Sequence, residues 1–296
     1  MSAPDVTLCI CSYRRPEIVE TLAALSRNTG LATDRLQVVV ADNTQEGRAR
    51  DLVALASEEF RIALDYVHAP ANNISIARNA CLDAAKGRWI AFLDDDELPA
   101  PGWLKALMQT AEREGFDVVL GPVTAVYPDT SPRWLVAGDF HSTRPVRVRG
   151  EIVTAYTGNV LFRRDAVEKN GLRFRLELGA TGGEDEDFFY RLRDAGGRIG
   201  FDPRAVCYER VPVERAGMRW LLRRSFRAGQ SHGRRLETLG RTPFRIGLAS
   251  LKCVFCGVAA VVFLPHAVSS RRYLIRAALH GGVVARLSGL SEIRMY

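Results

Sequence analysis

Four consecutive carboxylates, residues 94–97 (Asp-Asp-Asp-Glu), directly follow a short apolar run at residues 89–93. The run predicts a buried strand, so the acids stand at the end of that strand. Adjacent negative charges repel one another unless a cation shares them, and carboxylate oxygens are the ligands that hard divalent metals prefer. The cluster therefore predicts a site for Mg²⁺ or Mn²⁺. The alternative is that the acids cap a helix beginning near Pro101, where negative charge favours the helix dipole.

A second acidic cluster occupies residues 184–187 and opens a predicted helix that Gly196 and Gly197 end. The buried stripe of this helix is expected at Phe188, Leu192 and Ala195. Two interpretations stay open from these residues alone. The acids are either a functional carboxylate site or solvated charges that favour the positive end of the helix dipole.

Alternating strands and helices precede the first acidic cluster. Strands are predicted at residues 6–11, 36–41 and 62–67 before the one at 89–93, with helical stretches between them. Such connections pack as right-handed crossovers. The alternation therefore predicts an α/β fold with a mostly parallel, doubly wound sheet.

Each of these strands leads to a polar residue at its carboxyl end or in the connection that follows. Tyr13, Asp42, Arg78 and the Asp94 cluster are expected at one edge of the sheet, where open α/β sheets bind their ligands. The chain lacks the glycine loops of P-loop ATPases and of dinucleotide-binding folds, which excludes both standard sites. Phosphates bound here must be neutralised otherwise, and Arg78 together with a metal would do so.

The last third of the chain has a different surface. Residues 213–296 hold 15 Lys and Arg against 3 Asp and Glu, whereas residues 1–140 hold 13 against 20. A basic amphipathic helix is predicted at residues 218–239. This change of character sets the expected domain boundary between residues 212 and 213.

A nearly continuous apolar run follows at residues 246–264, broken by Lys252. Its length is about enough to cross a bilayer core as a helix. Arginines flank both ends, so the positive-inside rule gives no orientation. Spanning, re-entrant and surface-lying forms stay open, as does a core helix packed on the rest of the protein. The flanking residues are Arg241, Arg245, Arg271 and Arg272.

Composition places the chain among ordinary globular enzymes. Its 296 residues, 47% of them apolar, allow one large or two modest domains. The six cysteines lie mostly in apolar runs, which favours a reducing compartment. The N-terminus has no basic-then-apolar leader, so most of the protein is expected in the cytoplasm.

Four motifs in order make the chain resemble inverting glycosyltransferase family 2, which has the GT-A fold. The nearest look-alikes are bacterial exopolysaccharide glycosyltransferases of the succinoglycan type, and the resemblance covers residues 6–235. Each motif is weak alone, but their order makes the signal specific. The motifs are Ser12-Tyr13-Arg14-Arg15-Pro16, Ala77-Arg78-Asn79, Leu93-Asp94-Asp95-Asp96 and Gly183-Glu184-Asp185.

On the donor side, the resemblance implies that Ser12 and Tyr13 contact the donor nucleotide, with Tyr13 stacked on the base. It makes Asp42 a hydrogen-bond partner of a uracil-type ring and Arg78 a contact of the diphosphate. The donor implied in this way is a UDP-sugar.

On the reaction side, residues 94–96 look like the Asp-x-Asp motif of the family. Asp96, with Asp94, would bind Mg²⁺ or Mn²⁺ under the donor diphosphate, while Asp94 and Asp95 would hold the donor. Asp185, with Glu184 beside it, matches the general base. Displacement at the anomeric carbon needs both a base on the incoming hydroxyl and charge neutralisation on the departing diphosphate.

Three departures from the family pattern bear on specificity. A single acid, Asp42, follows the second strand where the family has two, and Glu209 stands near the place of a late histidine ligand. Ala216 replaces the glutamine of the Gln-x-x-Arg-Trp motif of processive members, ahead of Arg219 and Trp220. The resemblance therefore implies transfer of a single sugar rather than polymer synthesis.

These inferences predict residues 1–212 as a GT-A catalytic domain and residues 213–296 as a C-terminal helical extension on the inner face of the cytoplasmic membrane. The acceptor would be lipid-linked or a saccharide. The alternatives are a processive polysaccharide synthase and a sugar-phosphate nucleotidyltransferase, whose glycine-rich loop is missing. A nucleic-acid binder is disfavoured, because the basic residues bracket an apolar run rather than alternate with aromatic platforms.

Overall fold

The structure, a computed structural model, describes residues 4–28, 30–60, 63–240 and 242–293. It contains two compact units. The sheet unit comprises Met1–Ala125, Ser142–Ala180 and Glu184–Arg210. The helical unit comprises Val126–His141, Thr181–Gly183 and Val211–Tyr296.

The predicted alternation of strands and helices is confirmed in the first hundred residues. The predicted start of the third strand, Ile62, lies outside the described residues. The elements are β1 (Val6–Ser12), α1 (Ile18–Asn28), β2 (Leu36–Asp42), α2 (Ala49–Phe60), β3 (Leu64–His68), α3 (Ile74–Ala84) and β4 (Trp89–Asp94).

Shorter strands and helices complete the sheet unit, and longer helices form most of the other unit. In chain order they are β5 (Glu97–Pro99), α4 (Trp103–Glu114), β6 (Val118–Leu120), β7 (Val123–Val126), α5 (Arg133–Gly138), β8 (Arg147–Val148), β9 (Glu151–Ile152), β10 (Asn159–Arg163), α6 (Arg164–Lys169), α7 (Glu184–Asp194), β11 (Ile199–Phe201), β12 (Cys207–Arg210), α8 (Met218–Thr238), α9 (Thr242–Val262) and α10 (Ala267–Leu287).

Seven strands of the described chain form the main sheet, in the order β11-β6-β10-β4-β1-β2-β3. Strands β4, β1, β2 and β3 pair in parallel, while β10 runs antiparallel to β4 and to β6. The expectation of a mostly parallel α/β sheet is therefore confirmed.

Side chains alternate along the strands of this sheet, so its apolar residues point to both faces, and helices cover both. Leu8 and Ile10 of β1 face a core shared with α1, α2 and α4, while Cys9 between them faces a second core shared with α3 and α7. In β4, Phe92 likewise belongs to the second core. Burial on both faces explains the continuous apolar runs in the sequence.

The strand expected at residues 117–126 is wrong as a single element. Gly121 and Pro122 divide it into β6, which joins the main sheet, and β7, which joins a small sheet in the order β5-β12-β7. Proline has no N–H for a ladder hydrogen bond. A Cβ on Gly121 would lie 2.0 Å from the carbonyl oxygen of Ala205, so the break also needs glycine.

Two smaller expectations also differ from the structure. Residues 127–149, expected as a loop, contain α5 and β8. Ala195, expected in the buried stripe of α7, lies beyond the end of the helix and is exposed, whereas Phe188 and Leu192 are buried as expected.

In the helical unit, α10 packs against both α8 and α9. The contact of α8 with α10 needs glycine, because a Cβ on Gly229 would lie 1.9 Å from the carbonyl oxygen of Leu279. Helices α8 and α9 match the predicted segments at residues 218–239 and 246–264. The flanking residue Arg241 lies outside the described residues.

Candidate functional site

The strands that carry the candidate residues end side by side at one edge of the main sheet. In the parallel pairing of β1 with β2, Ser12 lies opposite Asp42. In the pairing of β1 with β4, Cys11 lies opposite Asp94. The expectation that consecutive strands deliver polar side chains to one edge is therefore confirmed for Asp42 and Asp94, and Ser12 lies at the same edge.

Asp42 is fully buried and accepts four hydrogen bonds from the protein. Its Oδ1 accepts from the backbone N–H and the hydroxyl of Thr44, at 2.9 and 2.7 Å. Its Oδ2 accepts from the backbone N–H of Ala49 at 2.7 Å and from the hydroxyl of Tyr66 at 3.1 Å. Burial alone would raise the pKa of Asp42, but these hydrogen bonds outweigh it and lower the pKa. The carboxylate is thus ionised and holds the loop after β2.

The three adjacent aspartates have different environments. Asp94 is exposed, Asp95 is buried and Asp96 is half-buried. Asp95 accepts from the backbone N–H of Tyr13 at 3.4 Å and from Nη1 of Arg15 at 3.3 Å. The same Arg15 nitrogen donates to Oδ2 of Asp96. Arg15 therefore shields two of the three negative charges.

Burial and charge crowding both act on Asp95. Burial raises its pKa to about 7, an effect that Arg15 opposes and that the carboxylates of Asp96 and Asp94 strengthen. The carboxylates of Asp94 and Asp96 thus disfavour ionisation of Asp95 even with Arg15 present, and a divalent cation would offset their negative charge.

The alternative of a helix cap for this cluster is wrong. Helix α4 has Gly102 as its N-cap residue, with no side-chain hydrogen bond at the cap. Glu97 instead begins β5. The acids therefore do not cap the nearest helix.

The donor set fits a metal that is shared with a phosphate ligand. Asp94 and Asp96 offer carboxylate oxygens at the sheet edge, whereas no group of three or more His, Cys, Asp or Glu that could hold a metal is found among the described residues. Mg²⁺ usually binds through one or two carboxylates and completes its shell with substrate phosphates and water. Residues Asp94 and Asp96 meet that requirement.

Glu97 lies behind Asp94. Its side chain is buried, and its Oε2 accepts a hydrogen bond from the backbone N–H of Asp94 at 3.2 Å. Burial first, and then the carboxylates of Asp94 and of Glu209 opposite it in β12, raise the pKa of Glu97 well above its usual value. A Cβ on Gly158 would lie 2.6 Å from Oε1 of Glu97, so the packing around this carboxyl is tight.

Arg78 and Glu184 connect α3 to the first turn of α7. Both side chains are buried, and Nη1 of Arg78 donates to Oε1 of Glu184 in an ion pair. The guanidinium also lies 5.6 Å from the ring centre of Phe174. Arg78, expected on a diphosphate, is thus held against the second acidic cluster.

Asp185 is half-buried beside this ion pair, and its Oδ1 accepts from the backbone N–H of Glu186 at 2.8 Å. Burial and the carboxylate of Glu184 raise the pKa of Asp185 to about 6, while Arg78 opposes the shift and Asp94 adds to it. Asp94 and Asp185 therefore belong to one electrostatic site. A carboxylate with this pKa is suited to accept a proton near neutral pH.

Tyr13 is half-buried after β1, and the guanidinium of Arg14 lies 5.1 Å from its ring centre. Arg14 has a φ of 58°, a left-handed conformation that non-glycine residues seldom adopt. The turn after β1 is thus strained where the first motif stands, beside Asp95.

Two residues of the site had no assigned role in the sequence-based interpretation. Arg15 stood within the first motif, and Glu97 stood within the acidic run. The available signal for Arg15 was its place directly after β1, opposite the excess of negative charge after β4. Its contacts with Asp95 and Asp96 span about 80 residues of sequence.

Comparisons with known proteins bear on the whole chain. The sequence profile described as Glycosyl transferase family 2 matches residues 7–171. The succinoglycan biosynthesis protein ExoM of Rhizobium meliloti is 49% identical over 294 residues, which cover 98% of this chain and 95% of that protein. The succinoglycan biosynthesis protein ExoO of the same organism is 28% identical over 68% of this chain and 59% of its own length.

Solved structures resemble the fold at low sequence identity. The mannosyltransferase PcManGT from Pyrobaculum calidifontis, in complex with GDP-Man and Mn²⁺, has a TM-score of 0.64 at 21% identity and covers 95% of this chain and 87% of its own. S. aureus TarS 1-349 in complex with UDP has a TM-score of 0.57 at 16% identity and covers 93% and 89%. These structural similarities show that the chain has the GT-A fold, as expected from the sequence.

Proposed function

The chain belongs to glycosyl transferase family 2, and from this premise we propose that it moves a single sugar from a nucleotide-diphosphate donor to a hydroxyl acceptor, with inversion at the anomeric carbon. The observation that carries the proposal is the joint environment of the two acidic clusters. The pKa of Asp185 is about 6, and the negative charge of Asp94 contributes to raising it. A base and a metal-binding carboxylate are thus within electrostatic reach of each other, as a displacement at a sugar carbon requires.

The donor is proposed as a UDP-sugar held at the edge of the main sheet. Tyr13 would stack on the base, and Ser12, Asp94 and Asp95 would contact the nucleotide. Asp42 would face the uracil ring. A carboxylate accepts about four hydrogen bonds, and Asp42 already accepts four. The ring must therefore take the place of one protein donor, and Tyr66 makes the longest of these bonds, at 3.1 Å.

Mg²⁺ or Mn²⁺ would be held by Asp96 and Asp94 together with the donor diphosphate. The metal would neutralise charge on the leaving diphosphate. Arg15 pairs with Oδ2 of Asp96, and because a carboxylate has two oxygens with about four lone-pair sites, Asp96 would bind the cation either beside Arg15 or in its place. PcManGT, which was solved with Mn²⁺, supports a metal in this fold.

Asp185 would remove the proton from the acceptor hydroxyl. Glu184 is engaged with Arg78 and is therefore less available to act as the base, although it tunes the pKa of Asp185. Arg78 in turn keeps Asp185 ionised near neutral pH. We thus propose that Arg78 acts first on the base, and on the diphosphate only through rearrangement of its ion pair.

The acceptor is proposed as a lipid-linked or saccharide hydroxyl in the synthesis of a cell-surface polysaccharide. The similarity to the succinoglycan biosynthesis protein ExoM supports this setting. We propose that residues 1–212 form the catalytic domain. Residues 213–296 would form a helical region at the inner face of the cytoplasmic membrane. The one described helix that is long and apolar enough to cross a membrane is Thr242–Val262.

The test is a donor screen with the purified full chain. Release of nucleoside diphosphate is measured for UDP- and GDP-sugars, with Mn²⁺ and with EDTA, in the presence of lipid-linked saccharide acceptors. The anomeric configuration of the product is read by NMR. We expect metal-dependent release and an inverted configuration. Release without metal, or a retained configuration, would contradict the proposal.

A further inference from the structure

Helix α9 presents a broad apolar face to solvent. Successive residues of a helix advance by about 100°, and by that measure the exposed apolar side chains of α9 fill an arc of about 140°, with the exposed Lys252 about 40° beyond its edge. All side chains on this arc are apolar. They include Leu248, Leu251, Val254, Phe255, Val258 and Val262, most of them about two-thirds exposed.

The opposite face of α9 packs inside the helical unit. Ala249, Cys256 and Ala260 are buried there, and Ala249 shares a small core with Val283 of α10. The inner face is thus made of small residues and the outer face of large ones. A helix of a soluble protein normally has the reverse arrangement, so the exposed face requires an apolar environment.

Helix α10 fixes how α9 can meet a membrane, because the two helices lie side by side. The hydroxyl of Ser270 donates to the carbonyl of Ala260 at 2.7 Å, and the thiol of Cys253 donates to the carbonyl of Ala277 at 3.4 Å. Cys253 stands at the middle of α9. Its contact therefore places the middle of α9 beside residue 277 of α10.

Charged groups occupy this middle level. Arg276 adjoins Ala277 and is exposed, and Lys252 adjoins Cys253 and is also exposed. Lys252, Arg276 and His232 all act on the charge of His280. A membrane-spanning α9 would carry this cluster into the centre of the hydrocarbon, where lysine and arginine are most costly.

We propose that α9 lies flat in the interface of an anionic bilayer, with its exposed apolar face inserted among the acyl chains and without crossing the membrane. This inference rests on the proposed function only for its setting at the cytoplasmic membrane. Lys252 lies at the margin of the apolar arc, where its ammonium group can reach the headgroups. The lipid-linked acceptor would then be reached from the plane of the membrane.

Charge complementarity identifies the occupant as an anionic lipid surface. Residues 213–296 hold 15 Lys and Arg against 3 Asp and Glu. Two of these three acids, Glu237 and Glu292, are paired with Arg286 and Arg234. A basic surface beside an inserted apolar helix is the combination that binds peripheral proteins to anionic leaflets.

The first experiment measures co-sedimentation of the full chain with vesicles of phosphatidylcholine, with and without phosphatidylglycerol. We expect binding to the anionic vesicles. The double variant Leu251→Glu, Val258→Glu should bind at least about tenfold more weakly, since both acids enter the apolar face. Leu55→Glu is the matched control, because Leu55 of the sheet unit is 63% exposed and Leu251 is 67% exposed. This control should bind like the wild type.

The second experiment separates a flat helix from a spanning one. A cysteine is placed between α9 and α10 as His266→Cys, where the native side chain makes no cap hydrogen bond, in a background with Cys253→Ala and Cys256→Ala. Spheroplasts are treated with a membrane-impermeant maleimide. We expect labelling only after lysis, as for Leu55→Cys in the same background. Labelling of intact spheroplasts would show that the hairpin crosses and would overturn the proposal.

A second copy of the chain is the competing occupant of the apolar face. Light scattering without lipid tests it. A dimer that Leu251→Glu dissociates, together with absence of vesicle binding, would assign the face to self-association and overturn the proposal. Vesicle binding needs neither donor nor acceptor. If the full chain transfers sugar but does not bind anionic vesicles, this inference alone is rejected. If it binds the vesicles but transfers no sugar, the proposed function alone is rejected.

Discussion

Arg78 of α3 and Glu184 of α7 form a buried ion pair that joins positions 106 residues apart in the sequence. The pair fixes the first turn of α7, and with it Asp185, against the sheet edge that carries the aspartates. Breaking a buried pair from one side leaves an uncompensated charge. The ion pair therefore couples the stability of the fold to the state of the proposed base.

Arg78→Ala is expected to lower the free energy of unfolding by about 3–5 kcal/mol, because Glu184 stays buried without its partner. Arg88→Ala, which breaks an exposed pair with Glu112, should cost at most about 1 kcal/mol. Urea unfolding of both variants measures the difference. Equal costs would show that the buried pair has no special role in the fold.

The transfer rate should depend on the ionisation of Asp185. Its pKa is raised to about 6, so the rate at saturating donor and metal should fall as the pH drops through about 6 and stay level above it. Arg78 opposes this raised pKa, so Arg78→Gln should move the limb to higher pH. A kcat profile from pH 5 to 8 measures both effects. A profile that stays level down to pH 5 would contradict the assignment of the base.

Mn²⁺ should bind tightly only with a nucleoside diphosphate present, because the chain offers two carboxylates, Asp94 and Asp96, for the metal. The signal of free Mn²⁺ in electron paramagnetic resonance measures its binding with and without UDP. Asp96→Ala should abolish the tight binding and the transfer while the unfolding curve stays nearly unchanged. Full transfer in EDTA would refute metal dependence.

Glu97→Gln should be tolerated, since burial and two nearby carboxylates raise the pKa of Glu97 well above its usual value and favour the neutral form. An amide has the same shape and can still accept from the N–H of Asp94. We expect nearly normal transfer, whereas Glu97→Ala should lower the free energy of unfolding by about 2–3 kcal/mol through the lost hydrogen bond and the cavity. A large loss of rate in Glu97→Gln would instead indicate an ionised, catalytic carboxylate.

The local parts of the fold could be predicted from the sequence. Buried strands such as β1 and β4 have continuous apolar runs, and α8 has a clear helical period. Helix α10 was predicted only as part of the helical extension at residues 213–296 and without bounds of its own, because four arginines interrupt its apolar residues and its contact with α8 is made through Gly229 and Gly282. The break at Gly121 and Pro122 was missed because the apolar character continues across it.

The motifs of the site could also be predicted, but their partners could not. Arg78 was found by its motif, yet its ion pair with Glu184 depends on the packing of α3 against α7. The pairing of Arg15 with Asp96 depends in the same way on the register of β1 with β4. Such contacts are properties of the tertiary fold, which spacing along the chain does not encode.

The most direct measurement is the transfer rate of Asp185→Asn at saturating donor, acceptor and metal. This change keeps the shape of the side chain and removes its basicity, so we expect a loss of about 10² to 10⁴ in kcat with donor affinity unchanged. Asp187→Asn is the matched control in the same turn of α7, where Asp187 pairs with Arg191 at 2.8 Å, and it should keep nearly full activity. An Asp185→Asn enzyme with wild-type kcat would contradict the account at its centre.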